Sequence, residues 1–320
     1  MKKFFKSLGI FLACLPFVMI VALLIWGKLV PRLFQKNLYY KVAGYGHSFT
    51  RFHEADTSKQ PVDVLVVGSS HAYRGVDPRI FAQHNIKIFN LGSGSQTPIQ
   101  TLYLLNRYID KFKPKAVLYE ALFTTFTGDG SEAAIDLYSN LRPFDKQLVD
   151  MAVKINSVQG YTTLFYAWLQ QVFFNKSVHE PVKKAKDTYV KGGYVEREVT
   201  VFKEINSDTG VPSKFVFEKN QLEAFNEILA LLKQKGVKLI LFQTPVTKSF
   251  FSQISDQQTY DNFLKDKGDG YYNFNYNRTF AAPDFYDSNH LNQNGVDKLD
   301  SLLIDTLKAN KVVGPMLFAK

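Results

Sequence analysis

The sequence predicts an α/β three-layer sandwich built on a central parallel sheet, and two observations support this class. Short continuous apolar runs of strand length recur along the chain, as in strands that are covered on both faces. Amphipathic stretches with helical spacing alternate with these runs, which is typical of a parallel sheet with helices on both faces. The predicted strands are 62–67, 86–91, 116–120, 237–242 and 271–274, and the predicted helices are 100–113, 221–235 and 299–307.

The first thirty residues form a separate element. Lys2, Lys3 and Lys6 precede the uncharged apolar stretch 9–26, which is long enough to cross a membrane as a helix. The positive-inside rule predicts that these lysines stay cytoplasmic and that the chain after Lys28 is exported. A cleaved signal peptide is the alternative, but no convincing small-x-small cleavage site follows the apolar stretch. We therefore expect an uncleaved single-pass anchor in the cell membrane.

The net charge and the cysteine count limit the class of partner. The formal charge is +10, and it is +7 without the three N-terminal lysines, so the exported part is basic. A cell-wall polyanion, an acidic polysaccharide or lipid headgroups would be attracted to this charge, although solubility alone also explains a modest excess. Nucleic acid is not an expected partner outside the membrane. The single cysteine, Cys14, lies in the apolar stretch, so the exported part has neither a disulfide nor a thiol nucleophile.

Residues 31–60 are predicted to form a membrane-proximal connector over the domain surface. They contain several tyrosines together with His47 and His53. The two histidines could be metal ligands, but no further Cys or His spacing supports a zinc site. We therefore expect structural roles for both histidines, and we expect neither a metal nor a cofactor.

The first chemical motif follows the first predicted strand. Its apolar run stops at Gly68, and Ser69 and Ser70 come next. If a helix begins here, Ser70 lies at the carboxyl edge of a central strand, beside unpaired backbone N–H groups that stabilise developing negative charge. The alternative is a plain strand-to-helix turn in which one of the serines caps the helix.

The second motif lies near the other end of the chain. Asp287 and His290 are three residues apart, just before the last predicted helix. A serine hydroxyl is a poor nucleophile unless a base takes its proton, and histidine has a suitable pKa for that task. A carboxylate three residues away can orient the imidazole and stabilise its charged form. The two motifs together predict Ser70 as nucleophile, His290 as base and Asp287 as the orienting group.

These two motifs resemble the SGNH (GDSL-like) hydrolase superfamily, whose nucleophile follows strand one and whose base lies near the C-terminus. The resemblance implies that the backbone N–H groups of Ser70 and Gly92 form an oxyanion hole. Such donors matter, because removing one typically costs about a hundredfold or more in rate. The alternative for the Gly92 loop is a plain strand-to-helix turn without a role in the site.

The chain departs from that family at the third strand. The family places an asparagine of the oxyanion hole at this edge, whereas the chain has Glu120 followed by alanine and leucine. Glu120 is expected either to point into the site or to pair with Arg74. Ser69, His71 and Arg74 are, with Glu120, the further candidates for lining the site.

Four features are similar to the membrane-anchored branch of the superfamily that assists cell-envelope acylation. They are Gly-Ser-Ser in place of Gly-Asp-Ser, the missing asparagine, the N-terminal anchor and the terminal Asp-x-x-His-Leu-Asn. Members of that branch include the D-alanyl transfer protein of lipoteichoic acid synthesis and the alginate acetylation proteins. The resemblance implies a membrane-bound O-acyltransferase as partner.

An insertion is predicted to interrupt the α/β domain, which otherwise spans 61–320. It covers 128–215 and contains helical patterns rich in aromatic residues, then a polar stretch rich in lysine. The insertion could form a cap over the site, in which the aromatic residues stack on sugar rings and the lysines bind anionic groups. The alternative is a helical subdomain with its own core and a solvated charged face.

The prediction from the sequence is an extracytoplasmic, membrane-anchored, serine-dependent O-acyltransferase that acts on a cell-envelope glycan or polymer. An esterase with the same chemistry is the first alternative. The second is a non-catalytic scaffold or binding protein, which the missing asparagine makes credible.

Overall fold

A five-stranded parallel sheet lies at the centre of the computed structural model, which describes residues 1–174, 177–200, 202, 216–254 and 256–313. With strands numbered along the chain, its strands are β1 (Val64–Gly68), β2 (Ile88–Asn90), β3 (Ala116–Glu120), β7 (Lys238–Gln243) and β8 (Gly270–Asn273). The order across the sheet is β2-β1-β3-β7-β8, and every neighbouring pair is parallel. The predicted α/β fold with a central parallel sheet is confirmed.

The sheet order places a ligand crevice at a definite position. The chain runs from β1 outward to β2 and then crosses back to the other side of β1 to form β3. The carboxyl ends of the two strands that flank such a reversal form the usual binding crevice of doubly wound folds. Here those ends are Gly68 and Glu120, which are paired in the register of β1 and β3.

Helices cover both faces of the sheet. Successive residues of a strand point to opposite faces, so Val64 and Val66 pack into one layer while Leu65 and Val67 pack into the other. The layer on Leu65 and Val67 contains α2 (Ser48–Thr57), α5 (Pro98–Phe112), α7 (Lys146–Ile155) and α9 (Lys219–Lys235). The opposite layer contains α3 (Ser70–Gly75), α4 (Pro78–Gln83) and α12 (Gln293–Ala309). The two helical layers and the sheet make the three-layer sandwich.

The N-terminal helix α1 (Lys2–Leu29) buries none of its side chains. It is the single helix within the described part of the chain that is long and apolar enough to cross a membrane. Its length and composition suit either a membrane anchor or a signal sequence.

Helix α2 lies inside the domain, not over its surface as expected for residues 31–60. Phe52 and Ala55 are fully buried and belong to the main apolar core. Their spacing of three residues puts both on one face of α2. Arg51 is also fully buried, and its Nε–H donates to the carbonyl oxygen of Gly193 at 2.8 Å.

The described residues of the predicted insertion, 128–215, form three helices and a small sheet. The helices are α6 (Ser131–Asn140), α7 and α8 (Val158–Phe174), and the strands are β4 (Lys183–Lys184), β5 (Asp187–Val190) and β6 (Tyr194–Arg197), which pair antiparallel. The sequence analysis did not predict these strands. A Gly192-Gly193 pair with φ of 93° and 92° turns β5 into β6, and this pair is a hairpin signal that was overlooked. Residues 175, 176, 201 and 203–215 of the predicted insertion lie outside the described residues.

Short elements complete the chain. They are α10 (Lys248–Ser252), α11 (Gln257–Leu264) and the 3₁₀ turns Arg32–Phe34, Phe123–Phe126, Phe274–Tyr276 and Ala282–Asp284. The last of these turns leads into the loop that carries Asp287 and His290.

Candidate active site

The turn between β1 and α3 presents two serines in different ways. Gly68 has a φ of 137°, and a Cβ atom there would lie 2.6 Å from the carbonyl oxygen of Glu120, so only glycine fits. Ser69 caps α3, since its Oγ accepts the N–H of His71 at 3.2 Å. Ser70 is the first residue of α3, and its N–H therefore has no acceptor within the helix. Ser69 thus has the capping role, and the half-buried Ser70 hydroxyl is left for the site.

Ser70, His290 and Asp287 form one hydrogen-bonded row. Ser70 Oγ lies 2.8 Å from His290 Nε2, and His290 Nδ1 lies 3.0 Å from Asp287 Oδ2. An ionised carboxylate accepts hydrogen bonds only, so the proton of the neutral imidazole is assigned to Nδ1. This leaves the Nε2 lone pair to accept the Ser70 hydroxyl, which is the arrangement needed to take its proton.

The Asp287 carboxylate is held in place by its own loop. It accepts the backbone N–H of Asn289 at 3.0 Å and that of His290 at 2.8 Å. Burial alone would raise the pKa of Asp287. The hydrogen bond and charge of His290, with the two backbone donors, outweigh burial and lower the pKa to about 2. Asp287 is therefore an anion throughout the physiological pH range.

A second histidine, His71, stacks on His290. The two ring centroids are 4.6 Å apart with an angle of 15° between the planes. His71 Nε2 lies 2.7 Å from the carbonyl oxygen of Asn289, an acceptor, so Nε2 carries the ring proton. Burial, with the nearby charge of His290, lowers the pKa of His71 to about 3, so this ring is neutral. His71 thereby ties the loop before His290 to the start of α3.

Glu120 lies beneath the serine turn. Its Oε2 accepts the Ser69 hydroxyl at 2.8 Å and the Ser69 N–H at 3.3 Å. Burial raises the pKa of Glu120 to about 7, although the hydrogen bonds from Ser69 oppose the shift. The expectation that Glu120 pairs with Arg74 is wrong. Arg74 lies one helical turn after Ser70 and points to β5, where it donates to both oxygens of Asp187 at 3.0 and 2.7 Å.

Neutralising Glu120 should change how stability depends on pH. Because burial raises its pKa from 4.5, the neutral carboxyl contributes stability that is complete below 4.5 and is lost as the pH rises through about 7. We expect the wild-type chain to lose on the order of 3 kcal/mol more than Glu120→Gln between about pH 4.5 and pH 8. Unfolding by urea, followed by near-ultraviolet circular dichroism of the domain, measures this difference.

Asp136 and Asp300 also have pKa values that burial raises, but their contributions are the same in the wild type and in Glu120→Gln and cancel in the difference. Exposed Glu132 on α6 offers a matched control, and Glu132→Gln should follow the wild-type pH curve. Parallel pH curves for Glu120→Gln and the wild type would show that Glu120 does not titrate in this range.

Of the two backbone donors that the resemblance implies for an oxyanion hole, the Ser70 N–H is available and the Gly92 N–H is already hydrogen-bonded. The N–H of Gly92 donates to Asn90 Oδ1 at 3.0 Å, and Asn90 Nδ2 donates in turn to the carbonyl oxygen of Ala72 at 2.8 Å. Gly92 also packs closely on α3, since an added Cβ would lie 3.0 Å from the Ala72 Cβ. Gly92 therefore braces the start of α3, and its N–H is not free in this structure.

Two residues beside the row were missed by the sequence analysis. Tyr286 also stacks on His290, with centroids 5.4 Å apart and planes 10° apart. The Arg197 guanidinium lies 4.5 Å from the Tyr286 ring centroid, and that of Arg74 lies 5.9 Å from it. His290 thus stacks with two rings, His71 and Tyr286, and both restrict the plane of its imidazole. Tyr286 is adjacent to Asp287 in the sequence, but nothing local indicated that its ring would turn toward His290.

No family model and no curated protein matches this chain. Among solved structures, a GDSL-like lipase from Bacteroides thetaiotaomicron VPI-5482 is similar at 12% identity and a TM-score of 0.41, over 83% of this chain and 99% of the lipase. An acetyl xylan esterase from Butyrivibrio proteoclasticus is similar at 9% identity and a TM-score of 0.31, over 79% of this chain and 64% of the esterase. These are distant likenesses, and the fold assignment rests on the strand order and register described above.

Proposed function

We propose that the chain is a serine-dependent enzyme of acyl esters that works outside the cytoplasm. The observation that carries the proposal is the row from Ser70 through His290 to Asp287. It lies at the carboxyl end of β1, beside the crevice expected between β1 and β3. A serine, a histidine and a carboxylate with these contacts are the groups that acyl transfer through a covalent intermediate requires.

The proposed reaction has two steps. In the first, Ser70 Oγ bonds to the acyl carbon of the donor ester while its proton passes to His290 Nε2. The tetrahedral intermediate then collapses, the bond to the donor oxygen breaks, and His290 returns the proton to the departing alcohol. In the second step, an acceptor hydroxyl loses its proton to His290 Nε2 and attacks the acyl carbon of the acyl-serine. The bond between this carbon and Ser70 Oγ breaks, His290 returns the proton to Ser70 Oγ, and the acceptor leaves with the acyl group. A sugar hydroxyl as acceptor gives transfer, and water gives hydrolysis.

In this scheme, the N–H of Ser70 is the first donor to stabilise the negative charge on the oxygen of the tetrahedral intermediate. The Gly92 N–H can join it only after leaving Asn90, so a rearrangement of the Gly92 loop is part of the proposal. Asp287, with its lowered pKa, stabilises the imidazolium that forms on His290. The chemistry needs no metal and no cofactor.

We further propose that α1 anchors the enzyme in the cell membrane with its N-terminus in the cytoplasm. Lys2, Lys3 and Lys6, which precede the apolar helix, support this topology. The acceptor is then a cell-envelope glycan or polymer, and a membrane-bound O-acyltransferase partner supplies the acyl group from the cytoplasmic side. This finer assignment depends on the resemblance to the cell-envelope acylation branch.

A competition between acceptors tests the transferase proposal. The purified full-length chain in detergent is given p-nitrophenyl acetate with and without a cell-envelope oligosaccharide, and the acetylated sugar and free acetate are measured. The proposal predicts acetylated sugar that disappears in Ser70→Ala. Acetate alone, still dependent on Ser70, would make the protein an esterase. Neither product from a folded chain would favour a non-catalytic scaffold.

A further inference from the structure

The outer face of α8 has an unusual composition for a protein surface. The helix has no charged residue in its 17 positions. Its exposed side chains are all apolar or aromatic: Val158, Tyr161, Phe165, Trp168, Val172, Phe173 and Phe174. Surface helices of soluble proteins normally direct charged and polar residues outward, and a contiguous apolar face indicates an interaction surface.

Five of these side chains form a single stripe, which we call the α8 stripe. Its members are Val158, Tyr161, Phe165, Trp168 and Val172. They follow one another at alternating intervals of three and four residues, so they lie along one side of the helix. The Phe165 and Trp168 rings stack with centroids 5.7 Å apart. The opposite side of α8 packs on α6 and α7 through buried residues such as Leu164 and Ala167.

Helix α8 is attached to the end of α1. Gly27 lies directly against the ring of Tyr166, where an added Cβ would be 2.3 Å from a ring carbon. The Lys28 ammonium lies 6.0 Å from the Phe174 ring centroid. The chain after α1 continues the contact, since the N–H of Tyr39 donates to Thr163 Oγ1 at 3.1 Å. Helix α8 therefore lies next to the end of the apolar helix α1, and these contacts use side chains outside the α8 stripe.

The segment that joins α1 to the domain carries only positive charge. Lys28, Arg32 and Lys36 are exposed, and the first acidic residue of the chain is Glu54. Exposed Leu33 lies among these cations. Basic residues just beyond a membrane span bind anionic lipid headgroups, which places this segment at the depth of the headgroups.

We infer that the α8 stripe lies in the lipid–water interface beside α1, so that the domain rests on the bilayer as well as being anchored in it. The occupant is lipid for three reasons. The helix that carries the stripe is attached to the end of the apolar helix α1. The stripe contains the Trp and Tyr that favour membrane interfaces, and it lacks the charges that water-exposed helices carry. This contact goes beyond the proposed chemistry, because it fixes the domain at one height and orientation above the membrane.

The two tryptophans of the chain make the inference testable, because Trp26 lies in α1 and Trp168 in the α8 stripe. In the full-length Trp26→Phe variant, Trp168 is the single tryptophan reporter. We place this variant in vesicles of phosphatidylcholine and phosphatidylglycerol, with or without bromine on the acyl chains. The inference predicts blue-shifted Trp168 emission that brominated lipid quenches and aqueous iodide does not.

Two control chains complete the experiment. In Trp168→Phe, Trp26 reports whether α1 is in the bilayer and should be quenched by brominated lipid. Exposed Tyr276 follows β8, so a chain with Tyr276→Trp and both native tryptophans replaced by phenylalanine should show water-like emission.

Three results would overturn the inference. Water-like Trp168 emission that iodide quenches, with Trp26 in lipid, would place the α8 stripe in solvent. Blue-shifted Trp168 emission that brominated lipid does not change would show that a protein surface, such as a second copy, covers the stripe. An unquenched Trp26 would show that α1 does not hold the domain at the bilayer.

Discussion

Replacing Ser70 with alanine is expected to reduce ester turnover on the order of 10⁴-fold or more. The change removes Ser70 Oγ, which lies 2.8 Å from His290 Nε2. Among the described residues, no other nucleophilic atom lies within hydrogen-bond distance of that nitrogen. What remains is binding of the ester near the turn, without a covalent route. The measurement is kcat/KM for p-nitrophenyl acetate with the purified full-length chain in detergent.

The control for this prediction is Ser301→Ala, since Ser301 is an exposed serine on the last helix, α12. It should retain wild-type kcat/KM. The unfolding free energy of Ser70→Ala should stay within about 1 kcal/mol of the wild type, because Ser70 is half-buried and the cap of α3 is Ser69. Wild-type turnover by Ser70→Ala would mean that another group is the nucleophile. Ser69 has the nearest hydroxyl in the sequence and would be the first to test.

Replacing Gly68 with alanine is expected to destabilise the domain by roughly 3 kcal/mol or more. The added Cβ would lie 2.6 Å from the carbonyl oxygen and 2.7 Å from the Cβ of Glu120, on the neighbouring strand β3. The φ of 137° is also one that alanine rarely adopts. Relief requires β1 to move away from β3, which would shift Ser70 relative to His290 and lower turnover as well. Urea unfolding and ester turnover measure the two effects.

Gly236 offers a matched control because it also has a positive φ, 65°, but an added Cβ there meets nothing within 4 Å. It is the C-cap of α9, and Gly236→Ala should cost only about 1 kcal/mol with no loss of turnover. Equal stability losses in the two variants would show that strain in φ alone, and not the contact with Glu120, sets the requirement for glycine at Gly68.

Most of the fold could be predicted because its signals are local. The apolar run of β1 is buried at every position, as expected for a strand covered on both sides. Helix α5 begins at a Thr97–Gln100 capping box, and α9 ends at Gly236, so both boundaries are marked by the residues themselves. The α2 segment was misjudged, since its apolar Phe52 and Ala55 are too few to indicate burial without the rest of the core.

The predicted site residues depended on two kinds of information. Asp287 and His290 are close in the chain, so their hydrogen bond follows from local geometry. The partners of Glu120, Arg74 and Gly92 depend on side-chain directions set by tertiary packing. Glu120 accepts a hydrogen bond from Ser69, and the Gly92 N–H donates to its near neighbour Asn90. Arg74 donates to Asp187, which lies on a strand that had not been predicted.

The aromatic residues of α8 show the same limit. Their spacing indicates a helix, but periodicity alone does not tell whether an apolar side faces a core, a ligand or lipid. The described structure separates the two sides of this helix, because Leu164 and Ala167 are buried while Phe165 and Trp168 are exposed. That division could not be read from the sequence.

Covalent labelling of the full-length chain by a fluorophosphonate, read by intact mass, tests the central claim most directly. The probe reacts with serines whose proton is taken by a neighbouring base, and it requires no knowledge of the acceptor or partner. The account predicts a single adduct in the wild type, none in Ser70→Ala and strongly slowed labelling in His290→Ala. An adduct that persists in Ser70→Ala, or no adduct in a chain shown to be folded, would contradict it.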